Sequence, residues 1–244
     1  AEALAKGAAW AVVDDDALPA DPKYLRVNDS LVALQQLASL HRQESGFRIL
    51  AITGSNGKTT TKELCRSVLT GQYRIHATEG NLNNHIGLPL TLLSMDRTMQ
   101  FGIVEMGANH PGEIRILCEI AQPDYGLITN IGKAHLEGFG GIDGVARAKG
   151  ELFAYLAEHG GTLFVNQGDS KVMEILPASE GNIVFYNGGK GLRAVTARSD
   201  PFLEVEAVVG ERTLDIRTQL VGGYNVENVL AACSVGMTLG VPDK

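Results

Sequence analysis

Short apolar runs alternate with amphipathic segments over most of the chain. Residues 30–43 repeat leucine at every third position from Leu31 to Leu40, which predicts an amphipathic helix with Ser30 as its N-cap. Strand-like apolar runs follow it: RILAIT (48–53), RIHAT (74–78), FGIVEM (101–106) and YGLITN (125–130). Helical patterns separate them, including GEIRILCEIA and GIDGVARAKGELFAYLAEHG. This alternation predicts an α/β fold with a mostly parallel sheet flanked by helices.

The pattern changes near each end of the chain. From about residue 182, the runs NIVFY, FLEVEAVV and RTLDIRTQLV predict a small antiparallel sheet, and NVENVLAACSVGMTLG predicts an apolar helix after it. Residues 1–29 contain one short helical segment and the short strand-like runs WAVV and YLRV, too little apolar surface for a core of their own. We therefore expect residues 30–244 to form one large domain and residues 1–29 to be the remnant of a preceding one.

Composition narrows the class of protein. The 244 residues are 44% hydrophobic and 20% charged, which is typical of a globular protein. The net charge of −7 leaves no basic surplus for a nucleic-acid backbone, so we expect no nucleic-acid partner. No apolar run reaches about 18 residues, so we expect no membrane insertion. Cys65, Cys118 and Cys233 lie far apart in apolar stretches, which indicates reduced core cysteines in a reducing compartment.

The strongest motif is the glycine-rich turn TGSNGKTT, which follows a buried strand and opens a helix. Glycines let backbone N–H groups turn toward a phosphate chain, and the helix N-terminus adds a positive dipole end. Lys58 would reach the terminal phosphates of ATP, and the Thr59 hydroxyl would contact Mg²⁺. The predicted nucleotide-binding residues of this turn are Gly54, Ser55, Asn56, Gly57, Lys58, Thr59 and Thr60.

The loop is shorter than the common phosphate-binding pattern, with two residues between its glycines instead of four. From the residues alone, a strand–turn–helix connection with an incidental lysine is the alternative. The form G-S-N-G-K-T-T resembles Mur ligases and the related folylpolyglutamate synthases. Further stretches resemble the Mur ligases in the same order: TEGNLNNHIGLPLTLL (78–93), VEMGANHPGEI (104–114), TNIGKAHLEGFGG (129–141), ARAKGEL (146–152) and GGYNVENVLAA (222–232).

Three further residues are candidates for metal binding. Glu105 and His135 each follow a predicted strand at its carboxyl end, where α/β sheets bind ligands, although a solvated Glu and a structural His also fit. Lys149 is, by composition, an ordinary exposed helix lysine. The resemblance implies that Glu105 and His135 bind Mg²⁺, that two ions are held, and that Lys149 is carbamylated and joins them. It also implies catalytic roles for Lys58, His135 and Lys149.

Asparagines form the remaining candidate contacts. Asn225 and Asn228 are three apart and share one face of a predicted helix, which the resemblance places beside adenine. Helix capping is the alternative for Asn225. Asn81, Asn83 and Asn84 lie in a loop before the helix IGLPLTLL, and we expect substrate contacts from Asn81 and Asn84, unless the three simply form a turn.

The resemblance implies ATP-driven amide formation through an acyl phosphate, in bacterial cytoplasmic peptidoglycan synthesis. The expected partners are UDP-MurNAc-tripeptide and D-Ala-D-Ala, and we expect a monomer. Residues 1–29 would be the remnant of an N-terminal UDP-sugar-binding domain and residues 30–244 the central ATP-binding domain, with the C-terminal domain absent and no activity from the fragment alone. Another Mur ligase, a folylpolyglutamate synthase or a non-catalytic nucleotide-binding module are the alternatives.

Overall fold

The computed structural model describes residues 2–132, 136–178, 181–189 and 191–242. The helices are α1 (Glu2–Ala5), α2 (Ser30–Ser45), α3 (Lys58–Thr70), α4 (Gly87–Leu93), α5 (Glu113–Ala121), α6 (Leu136–Phe139), α7 (Ile142–His159), α8 (Ser170–Glu174) and α9 (Val226–Thr238). The strands are β1 (Ala11–Val13), β2 (Tyr24–Arg26), β3 (Arg48–Thr53), β4 (Ile75–Ala77), β5 (Phe101–Glu105), β6 (Tyr125–Ile128), β7 (Thr162–Asn166), β8 (Asn182–Tyr186), β9 (Arg193–Ser199), β10 (Leu203–Val209) and β11 (Arg212–Arg217). Within those ranges, no helix combines the length and apolar character needed to cross a membrane.

A six-stranded parallel sheet forms the centre of the molecule, in the order β4-β5-β3-β6-β7-β8. Strand β3 lies inside it and is buried from Ile49 to Thr53, as its continuous apolar run predicted. Helices α2, α4, α5 and α7 pack their apolar residues on one face. Helices α3 and α9 cover the other face, together with β10 of a second sheet. The predicted α/β class with a mostly parallel sheet is confirmed.

The second sheet is antiparallel, in the order β11-β10-β9, and it lies near the C-terminal end as predicted. Its membership differs from the prediction, because NIVFY is β8, the edge strand of the parallel sheet. Strand β8 pairs with β7, an element that the sequence pattern did not reveal. The third antiparallel strand is β9, which is mostly exposed, so it shows no apolar periodicity that would predict a strand.

Residues 2–29 stand apart from both sheets. Strands β1 and β2 pair only with each other, in parallel, and none of residues 2–29 is buried. This agrees with the expectation that the segment has no core of its own. Helix α2 begins at Ser30, but its N-cap is Asp29 and not Ser30, because the Asp29 carboxylate accepts hydrogen bonds from the N–H groups of Leu31 and Val32.

Arg42 of α2 is a buried guanidinium that joins three parts of the fold. It donates to the carbonyl oxygens of Ala121 and Gln122, both at 3.1 Å, and to Asp124 Oδ2 at 2.8 Å. The same Asp124 oxygen accepts the N–H of Ile49 at 2.7 Å, at the start of β3. One side chain therefore ties α2 to the end of α5 and to the amino edge of the central sheet.

Replacing Arg42 with Ala should lower the free energy of unfolding by about 3 kcal/mol, because two carbonyls and a carboxylate lose their charged donor. Urea denaturation followed by circular dichroism measures this. The control is Arg198→Ala, since Arg198 is 83% exposed and its ion pair with Glu204 spans 3.5 Å. That change should cost less than about 0.5 kcal/mol. Equal losses in both variants would contradict the assignment of Arg42 as a structural hub.

Candidate active site

The predicted phosphate loop connects β3 to α3, and two of its glycines are required by the backbone. Gly54 has φ of +145° and Gly57 has φ of +78°. A Cβ at Gly54 would lie 1.9 Å from Thr129 Oγ1, and one at Gly57 would lie 2.7 Å from Asn228 Oδ1. Residues with a side chain rarely adopt these backbone conformations, and a Cβ at Gly54 would also overlap Thr129, so both positions favour glycine.

The segment after β6 holds the loop in place. Ser55 N–H donates to the Asn130 carbonyl at 3.0 Å, and Asn56 N–H donates to Asn130 Oδ1 at 3.0 Å. The Asn56 carbonyl accepts from Thr129 Oγ1 at 2.6 Å and from Asn130 Nδ2 at 3.0 Å. Gly132 N–H donates to Ser55 Oγ at 2.8 Å. The stretch T-N-I-G therefore acts as a brace that fixes the shape of the loop.

The first turn of α3 opens toward this loop with no side chain capping it, since its N-cap is Gly57. Uncapped N–H groups at a helix N-terminus, with the positive end of the dipole, favour a bound anion. Lys58 donates from Nζ to the Gly54 carbonyl at 2.9 Å. Burial lowers the pKa of Lys58, while the negative charge of Glu105 opposes that shift. The loop thus presents donors and a cation suited to phosphate.

Glu105 ends β5 as a buried carboxylate, 3% exposed. Its Oε2 accepts from Thr59 Oγ1 at 2.9 Å and its Oε1 accepts from Asn83 Nδ2 at 3.0 Å. Among the described residues it forms no ion pair within 4.0 Å. Both donors are neutral, and Lys58 acts on the carboxylate only from beyond ion-pair distance, so the balance of this buried charge is incomplete, which is costly.

That imbalance fits a cation at Glu105 and the adjacent Thr59 hydroxyl. Mg²⁺ prefers oxygen ligands, and in nucleotide sites it is held by one or two carboxylates together with substrate phosphates. Over the described part of the chain, no three His, Cys, Asp or Glu side chains group closely enough to hold a metal ion alone. Glu105 and the Thr59 hydroxyl suit an ion that also takes oxygen ligands from a nucleotide.

Lys149 of α7 is 3% exposed, and this corrects the interpretation as a surface lysine that composition alone favours. It lines a cavity of about 480 Å³ together with Gly54, Lys58 and Asn84. Burial, and to a smaller extent the positive charge of Lys58, together lower the pKa of its amine to about 8. Two residues of the predicted phosphate loop, Gly54 and Lys58, thus line the same cavity as Lys149.

The structure places the three asparagines of the loop before α4, Asn81, Asn83 and Asn84, differently from the prediction. Asn84 lines the cavity, and its Oδ1 accepts from the N–H groups of Ile86 and Gly87 at the start of α4. Asn81 is exposed and does not line that cavity. Asn83, which bonds to Glu105, was not among the predicted site residues. Three nearby asparagines in one loop carry no local signal that says which of them faces the site.

Asn225 stands at the N-cap position of α9 and Asn228 lies in the first turn of that helix, so the expected shared helix face becomes a direct contact between two side-chain amides. Asn228 Nδ2 donates to Asn225 Oδ1 at 3.0 Å, and Thr61 Oγ1 donates to Asn228 Oδ1 at 3.1 Å. Asn225 donates to the Val221 carbonyl at 3.1 Å and makes no side-chain cap bond to α9. Thr60 faces a separate groove beside α9 and β11. These hydrogen bonds join α9 to α3, the helix that follows the phosphate loop.

One predicted residue, His135, lies outside the described residues. Seven of the others lie in three groups around the loop. Gly54, Lys58, Asn84 and Lys149 line one cavity. Thr59 and Glu105 form a bonded pair at the start of α3. Asn228 contacts the loop at Gly57 from the α9 side. The carboxyl edge of the sheet therefore combines the predicted phosphate-binding turn, a buried carboxylate and a buried lysine.

Comparison with known proteins shows the family of the chain. Residues 52–236 match the Mur ligase middle domain. The chain is 37% identical to UDP-N-acetylmuramoyl-tripeptide–D-alanyl-D-alanine ligase of Bacillus subtilis, over 95% of this chain and 50% of that protein. The chain spans about half the length of the curated relatives it matches.

Two solved structures share the fold. A crystal structure of MurF from Acinetobacter baumannii superposes with a TM-score of 0.88 at 36% identity, covering 98% of this chain and 53% of that one. MurF ligase from Thermotoga maritima in complex with ADP gives a TM-score of 0.89 at 27% identity, covering 100% and 57%. The chain belongs to the Mur ligase family, and residues 52–236 form its middle domain.

Proposed function

We propose that this chain is the ATP-binding part of a ligase that joins D-Ala-D-Ala to UDP-MurNAc-tripeptide through an acyl phosphate, in bacterial cytoplasmic peptidoglycan synthesis. The observation that carries the proposal is the buried Glu105 carboxylate, which is bonded to Thr59 at the phosphate loop and forms no ion pair within 4.0 Å among the described residues. The names of the relatives at 34% to 37% identity support the choice of substrates.

The proposed reaction has two steps. A terminal carboxylate oxygen of the tripeptide attacks the γ-phosphorus of ATP; the new O–P bond forms as the bond to ADP breaks. The amine of D-Ala-D-Ala then attacks the acyl carbon, loses a proton and displaces phosphate, which leaves the amide. Lys58 and the free N–H groups of α3 stabilise the charge that spreads over the transferred phosphoryl group. Bound Mg²⁺ would neutralise phosphate charge, held by Thr59, Glu105 and, as we propose, His135.

We propose that the amine of Lys149 is carbamylated. CO₂ adds to a neutral amine, which then loses a proton, and the lysine changes from a cation to an anion with two oxygen atoms. Burial supplies the neutral amine by lowering the pKa of Lys149 to about 8. The positive charge of Lys58, in the same cavity, would stabilise the anion. A carbamate there could serve a second Mg²⁺, which a free ammonium would repel.

We also propose that the 244 residues work within a longer chain whose other parts bind the UDP-sugar and the amine substrate. Adenine would contact Asn225 and Asn228, and Asn84 would contact substrate in the cavity it lines. Water must be kept from the acyl phosphate, and closure of neighbouring domains over the cavity would do this.

The isolated 244 residues should form no amide when supplied with ATP, Mg²⁺ and both substrates, because no second domain presents the amine or excludes water. Chromatographic detection of the amide product tests this. The complete ligase, assayed at the same concentration, is the control. Amide formation by the isolated chain above the enzyme-free rate would show that the middle domain suffices.

In the complete ligase, Glu105→Gln should lower kcat/KM by about 100-fold or more, because the cation site loses its charge. Gln keeps the volume of the side chain, so the thermal midpoint should change little. Glu79→Gln is the matched control, since Glu79 is exposed in the adjoining loop and should leave turnover unchanged. Normal turnover in Glu105→Gln would disprove the metal assignment and favour a non-catalytic nucleotide-binding module.

Removal of CO₂ should inactivate the complete ligase, and bicarbonate should restore it. At equal dissolved CO₂, restoration should be stronger at pH 8.5 than at pH 7.0. A lysine with a pKa of about 8 is neutral roughly eight times more often at the higher pH. A carbamate carbon resonance after ¹³C-bicarbonate labelling would identify the group directly. Lys149→Arg, which cannot be carbamylated, should show neither effect, and identical behaviour in the two proteins would refute the carbamate.

A further inference from the structure

Lys62 is a buried cation on α3, one helical turn after Lys58, and it does not line the cavity that contains Lys149. Its side chain is 3% exposed. Its ammonium donates to the Thr78 carbonyl at 2.5 Å, and it lies 3.2 Å from Glu63 Oε1 on a half-exposed side chain. Because burying an ammonium group is costly, an apolar residue would fill this space more cheaply. The contact with Thr78 is therefore the feature that distinguishes a lysine here.

Thr78 connects that ammonium to the backbone of Glu105. It follows the last residue of β4, where the pairing with β5 ends at Ala77 and Ile103. Its N–H donates to the Ile103 carbonyl at 2.9 Å, and its hydroxyl accepts the N–H of Glu105 at 3.0 Å. Thr78 is 1% exposed, so water cannot replace these bonds. Thr78 consequently extends the contact between β4 and β5 by a side-chain bond to the last residue of β5.

Helix α3 thus reaches Glu105 by two routes. Thr59, in the first turn, donates to the Glu105 carboxylate, and Lys62, in the next turn, holds the residue that binds the Glu105 N–H. We propose that Lys62 is a positioning residue which, through Thr78, fixes the Glu105 carboxylate relative to the phosphate loop and so sets the affinity for a nucleotide-bound divalent cation. This inference rests on the proposed function.

The test is the affinity of the complete ligase for Mn²⁺ in the presence of ADP, measured from the electron paramagnetic resonance signal of free Mn²⁺. Lys62→Met should raise the dissociation constant about 10-fold or more, as expected when an outer partner of a metal ligand is removed. Thr78→Val, which replaces only the hydroxyl, should have a similar effect, and Thr78→Ser should restore near-normal binding. The double variant Lys62→Met with Thr78→Val should be no weaker than the worse single variant, because both act through one path.

Arg66→Met is the matched control, since Arg66 lies on the same helix and is 56% exposed. It should leave Mn²⁺ binding unchanged. If Lys62→Met does not fold, the Mn²⁺ affinity of Thr78→Val decides the question. Replacing a hydroxyl with a methyl group disturbs the fold less than removing a buried ammonium group. Normal Mn²⁺ affinity in Thr78→Val, or a loss of thermal stability alone in Lys62→Met, would overturn the positioning role. Absence of Mn²⁺ binding in the unmodified ligase would instead refute the proposed function, and this inference with it.

Discussion

The site depends on the pairing of two adjacent parallel strands. Because β3 and β5 run in the same direction and pair from Arg48–Phe101 to Ile52–Glu105, the phosphate loop and the Glu105 carboxylate emerge at the same edge of the sheet. The hydrogen bond from Thr59 to Glu105 is a consequence of that register. A shift of one residue would turn the Glu105 side chain to the other face of the sheet and separate the two.

The electrostatics of the site follow from burial. Glu105 and Lys149 are both 3% exposed, and neither forms an ion pair among the described residues. Such charges are costly to a fold, so a site that retains them is suited to a ligand that compensates them. Lys58, in the cavity that it shares with Lys149, suits anionic oxygen atoms, and the Thr59–Glu105 pair suits a cation. ATP with Mg²⁺ carries both charges in adjacent positions.

The supports of the loop come from parts of the chain that are distant in sequence. Asn130, after β6, bonds to the loop backbone at Ser55 and Asn56. Asn228, on the last helix, lies against Gly57 and bonds to Thr61. The bonds of Asn130 explain why polar residues follow the buried strand β6 in the T-N-I-G stretch. The contacts of Asn228 mean that α9 also supports the loop, in addition to the adenine contact that we propose for it.

The sequence predicts those features of the structure that depend on residues close together in the chain. The strand–turn–helix context of TGSNGKTT, the α/β class and the placing of Glu105 at a strand end are local features, because periodicity and glycine spacing are properties of neighbouring residues. The pairing of NIVFY with β7, the burial of Lys149, the contact of Asn83 with Glu105 and the relay from Lys62 through Thr78 are not local. They arise where segments far apart in the chain meet, and only the folded packing of the sheet and its helices determines which side chains those are.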